Sequence, residues 1–122
     1  MGQDLRPPYY AVIFRSHLTD DTDGYSEMAD RMALLASEQP GYLGFESTRE
    51  GSYGITVSYW ESEEAIGHWS RHTEHLAAKA EGRRTWYRDY TVEVARIERS
   101  GGFDRNVQEA TAGPGSSGLA GR

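Results

Sequence analysis

Three histidines stand close together in the middle of the chain, at a spacing that would bring their imidazoles onto one side of a helix. His68, His72 and His75 are related as i, i+4 and i+7, and such residues are neighbours on a helical surface. Imidazoles bind zinc, nickel and copper, and with a pKa of about 6.5 they also act as general bases. On a continuous helix they lie roughly opposite Trp69 and face solvent, so we expect no metal site. We expect a break near Thr73, which would be the N-cap of the second helical piece. The break would turn His72 or His75 inward, and these two are the candidate catalytic bases.

The segments around the histidines alternate between strand and helix patterns. Apolar and polar residues alternate over 55–60, which predicts a strand, and Ser62 followed by two glutamates predicts the start of a helix. Strand patterns also cover 9–18, 42–49 and 90–99, and helical patterns cover 25–36 and 62–84. The order βαββαβ predicts an α+β, ferredoxin-like fold, in which a four-stranded antiparallel sheet carries both helices on one face.

The first strand is apolar on both of its faces, although one layer of helices covers only one face of a sheet. One face carries Tyr10, Val12 and Phe14, and the other carries Tyr9, Ala11 and Ile13. A second copy of the sheet would cover the remaining face. The sequence therefore predicts a homodimer in which two sheets are apposed.

Composition excludes several classes of function. The chain has 19 acidic and 13 basic residues and a net charge of −6, which disfavours nucleic acid as a partner. It has no cysteine, so disulfides, thiolate nucleophiles and iron–sulfur clusters are excluded. It shows no apolar run of about 20 residues and no signal-peptide pattern, so we expect no membrane contact and a cytoplasmic location. There is also no glycine-rich phosphate loop for a flavin or nicotinamide.

The 122 residues are expected to form one domain. Residues 1–8 read as a polar leader ending in two prolines, and residues 9–103 as the folded domain. Residues 104–122 are rich in Gly, Ser, Ala and Thr without an apolar period, which predicts a disordered tail.

The chain resembles the antibiotic biosynthesis monooxygenase (ABM) family of the dimeric α+β barrel superfamily, over roughly residues 9–103. The segments that carry the resemblance are YYAVIFRS, QPGYLGFES, GITVSYWESEEAIGHW and GRRTWYRDYTVEVARIER. It implies a homodimer whose two sheets form a barrel, with a pocket between sheet and helices in each subunit and Trp69 at the pocket wall. Members of the family include cofactor-free oxygenases of polyketide anthrones and haem-degrading oxygenases.

The haem degraders of this family use an Asn on the first strand, a Trp on the second helix and a His about ten residues later. Trp69 matches the Trp, whereas Arg15 or Ser16 stands at the Asn position and Lys79 at the His position. A haem in this chain would therefore need His72 or His75 as its iron ligand.

The first hypothesis is a cofactor-free monooxygenase of an aromatic or polyketide-like molecule, with His72 or His75 as the base. The residues expected to contact the substrate are Trp69, Tyr59, Phe14 and Ser16. Two alternatives stay open: a haem-binding or haem-degrading protein, and a non-catalytic dimeric module that binds a small apolar molecule.

Overall fold

A computed structural model describes residues 5–106, which form a four-stranded antiparallel sheet with the helices packed on one side. The elements in chain order are β1 (Tyr9–Leu18), α1 (Tyr25–Ser37), β2 (Tyr42–Glu50), β3 (Tyr53–Trp60), α2 (Glu63–Ser70), α3 (Thr73–Glu81), a π-helical turn (Gly82–Trp86) and β4 (Tyr87–Ile97). The strands lie in the order β2-β3-β1-β4. The predicted ferredoxin-like fold is confirmed.

The strand register separates the residues that face the helices from those that do not, because directly opposed residues of an antiparallel pair lie on the same face. Trp60 opposes Tyr10 and Tyr42, and its ring lies 6.4 Å from that of Trp69 on α2. The residues of β1, β3 and β4 on this helical face are Tyr10, Val12, Phe14, Ser16, Gly54, Thr56, Ser58, Trp60, Tyr90, Val92, Val94 and Arg96. The intervening residues form the helix-free face.

One subunit buries few large side chains. The buried apolar residues within residues 5–106 are Tyr9, Ala11, Leu18, Ala36, Trp60, Ala78 and Trp86. On the helix-free face, Ile13, Ile55 and Val57 stay partly exposed in the middle of the sheet.

None of the helices in the described part of the chain is long and apolar enough to cross a membrane. Most of the predicted tail, residues 107–122, and half of the predicted leader, residues 1–4, lie outside the described residues.

Candidate functional site

The second helical segment is broken between α2 and α3, as predicted. The helix N-cap is His72 rather than Thr73, because the backbone of His72 is extended and its Nδ1 accepts a hydrogen bond of 3.2 Å from the amide of Glu74. A ring nitrogen that accepts a hydrogen bond carries no hydrogen, so the neutral ring of His72 is protonated on Nε2. The nitrogen lone pair of His72 therefore caps a helix.

In His75, Nδ1 is a hydrogen-bond donor, whereas in His72 it is an acceptor. Its Nδ1 lies 3.0 Å from the backbone carbonyl oxygen of Trp69. A carbonyl only accepts, so Nδ1 carries the hydrogen and Nε2 of the neutral ring keeps a free lone pair. Burial lowers the pKa of His75, the nearby charges of Lys79 and His72 lower it further, and the bond to the carbonyl opposes them. The ring is therefore neutral at neutral pH and has the form required of a general base.

Trp69 connects His75 to the core. Its ring is nearly parallel to that of His75, with centroids 4.3 Å apart, and the ring of His72 lies 5.5 Å away. On the sheet, Trp60 is completely buried and its indole nitrogen donates to Ser58 Oγ at 2.9 Å. We call Trp60, Trp69, His72 and His75 the tryptophan–histidine cluster. It occupies the end of the helical face at which β3 ends.

Tyr59 is not part of this cluster. It lies on the helix-free face opposite Ala11, where its ring packs edge-on against Tyr9 with centroids 5.9 Å apart. Consecutive strand residues point to opposite faces, and Trp60 is the one that faces the helices. Within one subunit, Tyr59 and Trp69 therefore lie on opposite sides of the sheet, and contact of Tyr59 with the substrate stays a prediction.

Phe14 and Ser16 do lie on the helical face, near its other end. The ring of Phe14 packs against Tyr87 and Tyr90, with centroids 5.4 and 5.2 Å away. Ser16 is only 1% exposed. Phe14 opposes Thr56 and Ser16 opposes Gly54, four and six residues from Trp60, which is roughly 13 and 20 Å along the strand.

The sequence interpretation missed a polar group at this end. Arg49 of β2 donates from Nη2 to Ser16 Oγ at 3.2 Å and to the hydroxyl of Tyr25 at 3.1 Å. The ring of Tyr25 also packs edge-on against that of Tyr87, with centroids 5.9 Å apart. We call Ser16, Tyr25, Arg49 and Tyr87 the hairpin-end cluster. The signal in the sequence was the alternation of β2, which puts Phe45, Ser47 and Arg49 on the face of Trp60.

Between the levels of the two clusters, the helical face carries Thr56 and Ser58 on β3, whereas on β1 and β4 it is apolar and incompletely covered. Val92 and Val94 of β4 lie on this face, and they are 53% and 50% exposed. Val12 and Phe14 stand beside them on β1. The helices therefore leave an apolar strip of the sheet open, with a neutral imidazole toward one end and a guanidinium toward the other.

His68 lies apart from both clusters. It lines an open depression of about 270 Å³ outside α2, together with Pro40, Gly41, Glu61, Ser62, Glu64 and Ala65. Within residues 5–106, no group of three or more His, Asp or Glu side chains is arranged to hold a metal ion.

Two sequence comparisons identify proteins that are similar to this chain. Residues 8–81 match the family model described as antibiotic biosynthesis monooxygenase. The chain is 54% identical over 110 residues to YqjZ of Bacillus subtilis (strain 168), described as an uncharacterized protein; the match covers 89% of this chain and 96% of YqjZ.

Two solved structures show the fold. SnoaB from Streptomyces nogalater, described as a cofactor-independent oxygenase, superposes with a TM-score of 0.66 at 12% identity, covering 76% of this chain and 96% of SnoaB. Rv0793 from Mycobacterium tuberculosis superposes with a TM-score of 0.69 at 16% identity, covering 77% of this chain and 99% of Rv0793.

Proposed function

Because the chain belongs to the antibiotic biosynthesis monooxygenase family, we propose that it is a cofactor-independent monooxygenase that acts on an aromatic or polyketide-like small molecule. The observation that carries the proposal is the state of His75, a neutral ring with Nδ1–H held by the carbonyl of Trp69 and Nε2 free. The description of SnoaB as a cofactor-independent oxygenase supports the same reaction class. Family membership alone does not identify a substrate.

The proposed reaction converts a doubly benzylic CH2 group into a carbonyl. His75 Nε2 removes one proton from the CH2 carbon, and the resulting carbanion, stabilised by the rings, reduces O2 and forms a C–O bond. Return of the proton gives a hydroperoxide. Loss of the second C–H proton with cleavage of the O–O bond then gives the ketone and one water. The substrate supplies all the electrons, and the protein positions it and moves protons.

The substrate is proposed to lie on the open strip of the helical face. The ring of Trp69 lies beside the base, while Val92 and Val94 offer the exposed apolar floor. Placing an aromatic ring there would bury the surface that the helices leave exposed, at about 25 cal/mol for each Å² removed from water.

Oxygen uptake with 1,8-dihydroxy-9-anthrone tests the proposal, with the spontaneous oxidation rate subtracted. We expect one O2 to be consumed per anthrone, with the quinone as product and without hydrogen peroxide. If this anthrone and a panel of related phenolic ketones all oxidise no faster than without protein, the oxygenase proposal is wrong. Saturable binding without turnover would then identify a non-catalytic binding module.

The same histidine favours haem binding as the second candidate. Metal-bound histidines commonly donate their other ring nitrogen to a carbonyl, as Nδ1 of His75 does. If His75 ligates haem iron, adding haem gives a Soret band that is lost in His75→Asn and retained in His72→Asn. A band that is unchanged in both variants, or no band at all, excludes these histidines as haem ligands.

We further propose that the helix-free face is the interface of a homodimer. Its centre carries Ile13, Ile55 and Val57, which one subunit leaves partly exposed. Toward one end, Arg15 pairs with Glu93 at 2.6 Å, and His17 Nδ1 lies 2.9 Å from Asp89. Two such faces would bury more than about 1,000 Å². Sedimentation of a monomer at micromolar concentration would overturn this.

A further inference from the structure

In the hairpin-end cluster, the guanidinium of Arg49 lies across the sheet, over the buried residue Gly54. Arg49, Gly54 and Ser16 form one row across β2, β3 and β1. The guanidinium of Arg49 crosses Gly54 to reach Ser16 Oγ, and its Nη1 also donates to the carbonyl of Ser52 at 2.7 Å. Arg49 as a whole remains exposed to solvent.

Two glycines make the room that this arrangement needs. A Cβ atom at Gly54 would overlap the guanidinium of Arg49, and one at Gly82 would lie 2.6 Å from the ring of Tyr87. Neither glycine has a positive φ. Glycine is therefore needed at these positions because a side chain would not fit, not because of its backbone conformation. The backbone is thus shaped to seat a guanidinium and a phenol at the same end of the helical face.

Within residues 5–106, the guanidinium of Arg49 forms no ion pair with a carboxylate. Although the chain has a net charge of −6, no carboxylate in the described part of the chain lies within 4 Å of the Arg49 guanidinium. Three of its five N–H groups donate to neutral oxygens of Ser16, Tyr25 and Ser52. Two N–H groups therefore remain to donate to a ligand.

The phenols add a further donor and an aromatic surface. Burial raises the pKa of Tyr87, so its hydroxyl keeps its proton. The ring of Tyr25 packs edge-on against that of Tyr87, and each of the two phenols carries a hydroxyl hydrogen that it can donate. Phe14 and Tyr90 stand beside Tyr87, and Arg83 Nε donates to the hydroxyl of Tyr90 at 2.8 Å.

We propose that the hairpin-end cluster is an anion-binding subsite, which takes an oxyanion carried by a planar aromatic ring, such as a phenolate, carboxylate or sulfonate. Arg49 and the Tyr25–Tyr87 pair donate to the oxyanion, and the ring lies against Phe14 and Tyr90. The inference rests on the proposed function, in which the ligand occupies the helical face, and it adds that the ligand is elongated and carries its acidic group at the end away from His75.

Two fluorescent probes that differ in one charge test the subsite. 8-Anilino-1-naphthalenesulfonate carries a sulfonate, and N-phenyl-1-naphthylamine has the same rings without it. We expect Arg49→Met to weaken binding of the sulfonate probe about tenfold, because charge-assisted hydrogen bonds are lost, and to leave the neutral probe within about twofold. Arg99→Met removes a charge from an exposed residue and should change neither. An equal effect of Arg49→Met on both probes, or none, would overturn the proposal.

Two further measurements keep the test decisive if Arg49→Met does not fold. Gly54→Ala keeps the charge but displaces the guanidinium, so it should remove the same preference for the sulfonate probe. In the wild-type protein, benzenesulfonate should displace that probe and benzenesulfonamide should not; equal displacement by both refutes the subsite. These binding results do not depend on oxygen uptake, so failure of the oxygenase proposal and failure of the subsite are separately visible.

Discussion

Replacing His75 and His72 in turn by Asn separates the proposed base from the helix cap. An Asn side-chain amide has an N–H group close to the position of imidazole Nδ1. His75→Asn therefore keeps a donor for the carbonyl of Trp69 and removes the Nε2 lone pair. Asn is also among the best N-cap residues, so His72→Asn keeps the hydrogen bond to the amide of Glu74 and removes only the imidazole.

The expected magnitudes follow from these contacts. Loss of a general base reduces turnover by about 10² to 10⁴, so His75→Asn should bring the oxygenation rate close to the spontaneous one. Its cost in stability should stay near 1–2 kcal/mol, because the ring stack with Trp69 is worth about 0.5–1.5 kcal/mol and the backbone hydrogen bond is retained. His72→Asn should change turnover less than about threefold, whereas His72→Ala should lose about 1 kcal/mol of stability with the cap.

The assay is oxygen uptake with 1,8-dihydroxy-9-anthrone, together with urea unfolding of each variant. If His75→Asn folds and retains wild-type turnover, the assignment of His75 as the base is wrong. If His72→Asn is the variant that loses turnover while remaining folded, the tautomers inferred from the two hydrogen bonds are wrong as well.

Three other predictions concern pH, the pocket wall and the dimer. Folding lowers the pKa of His75, so its contribution to the free energy of unfolding is complete above the unfolded pKa of about 6.5 and is lost as pH falls from there toward the lower folded value. In urea unfolding across this range, the free energy of unfolding should decline less in His75→Asn than in the wild type. Equal declines in the two proteins would contradict the prediction. Trp69→Phe should weaken binding of N-phenyl-1-naphthylamine at a stability cost under about 2 kcal/mol. Trp60→Phe should cost more stability, because Trp60 is completely buried and hydrogen-bonded to Ser58. If Trp69→Phe is the more destabilising of the two variants, Trp69 is a core residue and not part of the pocket wall. Ile55→Lys should give a folded monomer by sedimentation, and a persisting dimer would place the interface elsewhere.

The fold could be predicted from local sequence signals because each element carries its own pattern. The alternation over 55–60 and the cap at Ser62, whose Oγ accepts from the amide of Ala65 at 3.1 Å, need no knowledge of distant residues. The break after α2 was also local, although its cap was misassigned. Histidine is a less common cap than Thr, and only the backbone of His72 shows that its imidazole takes that role.

Placing residues in the site required tertiary information. The alternation that identified the strand puts Tyr59 and Trp60 on opposite faces, but only the structure shows that Trp60 is the one that packs toward the helices. The sequence interpretation instead grouped aromatic residues by nearness along the chain. His75 was singled out from its spacing, but the hydrogen that defines its tautomer is held by a carbonyl six residues earlier.

Arg49 shows why charged side chains on edge strands are the hardest to assign. In sequence it is one arginine beside a glutamate in an exposed hairpin, and a solvated position is the ordinary expectation. Its placement depends on Gly54, which the sequence presents as a turn residue and the register places inside β3, opposite both Arg49 and Ser16. The missing side chain of Gly54 gives the guanidinium a path across the sheet. A glycine beside a hairpin can therefore position a neighbouring cation, and the pairing register is what distinguishes that role from a turn.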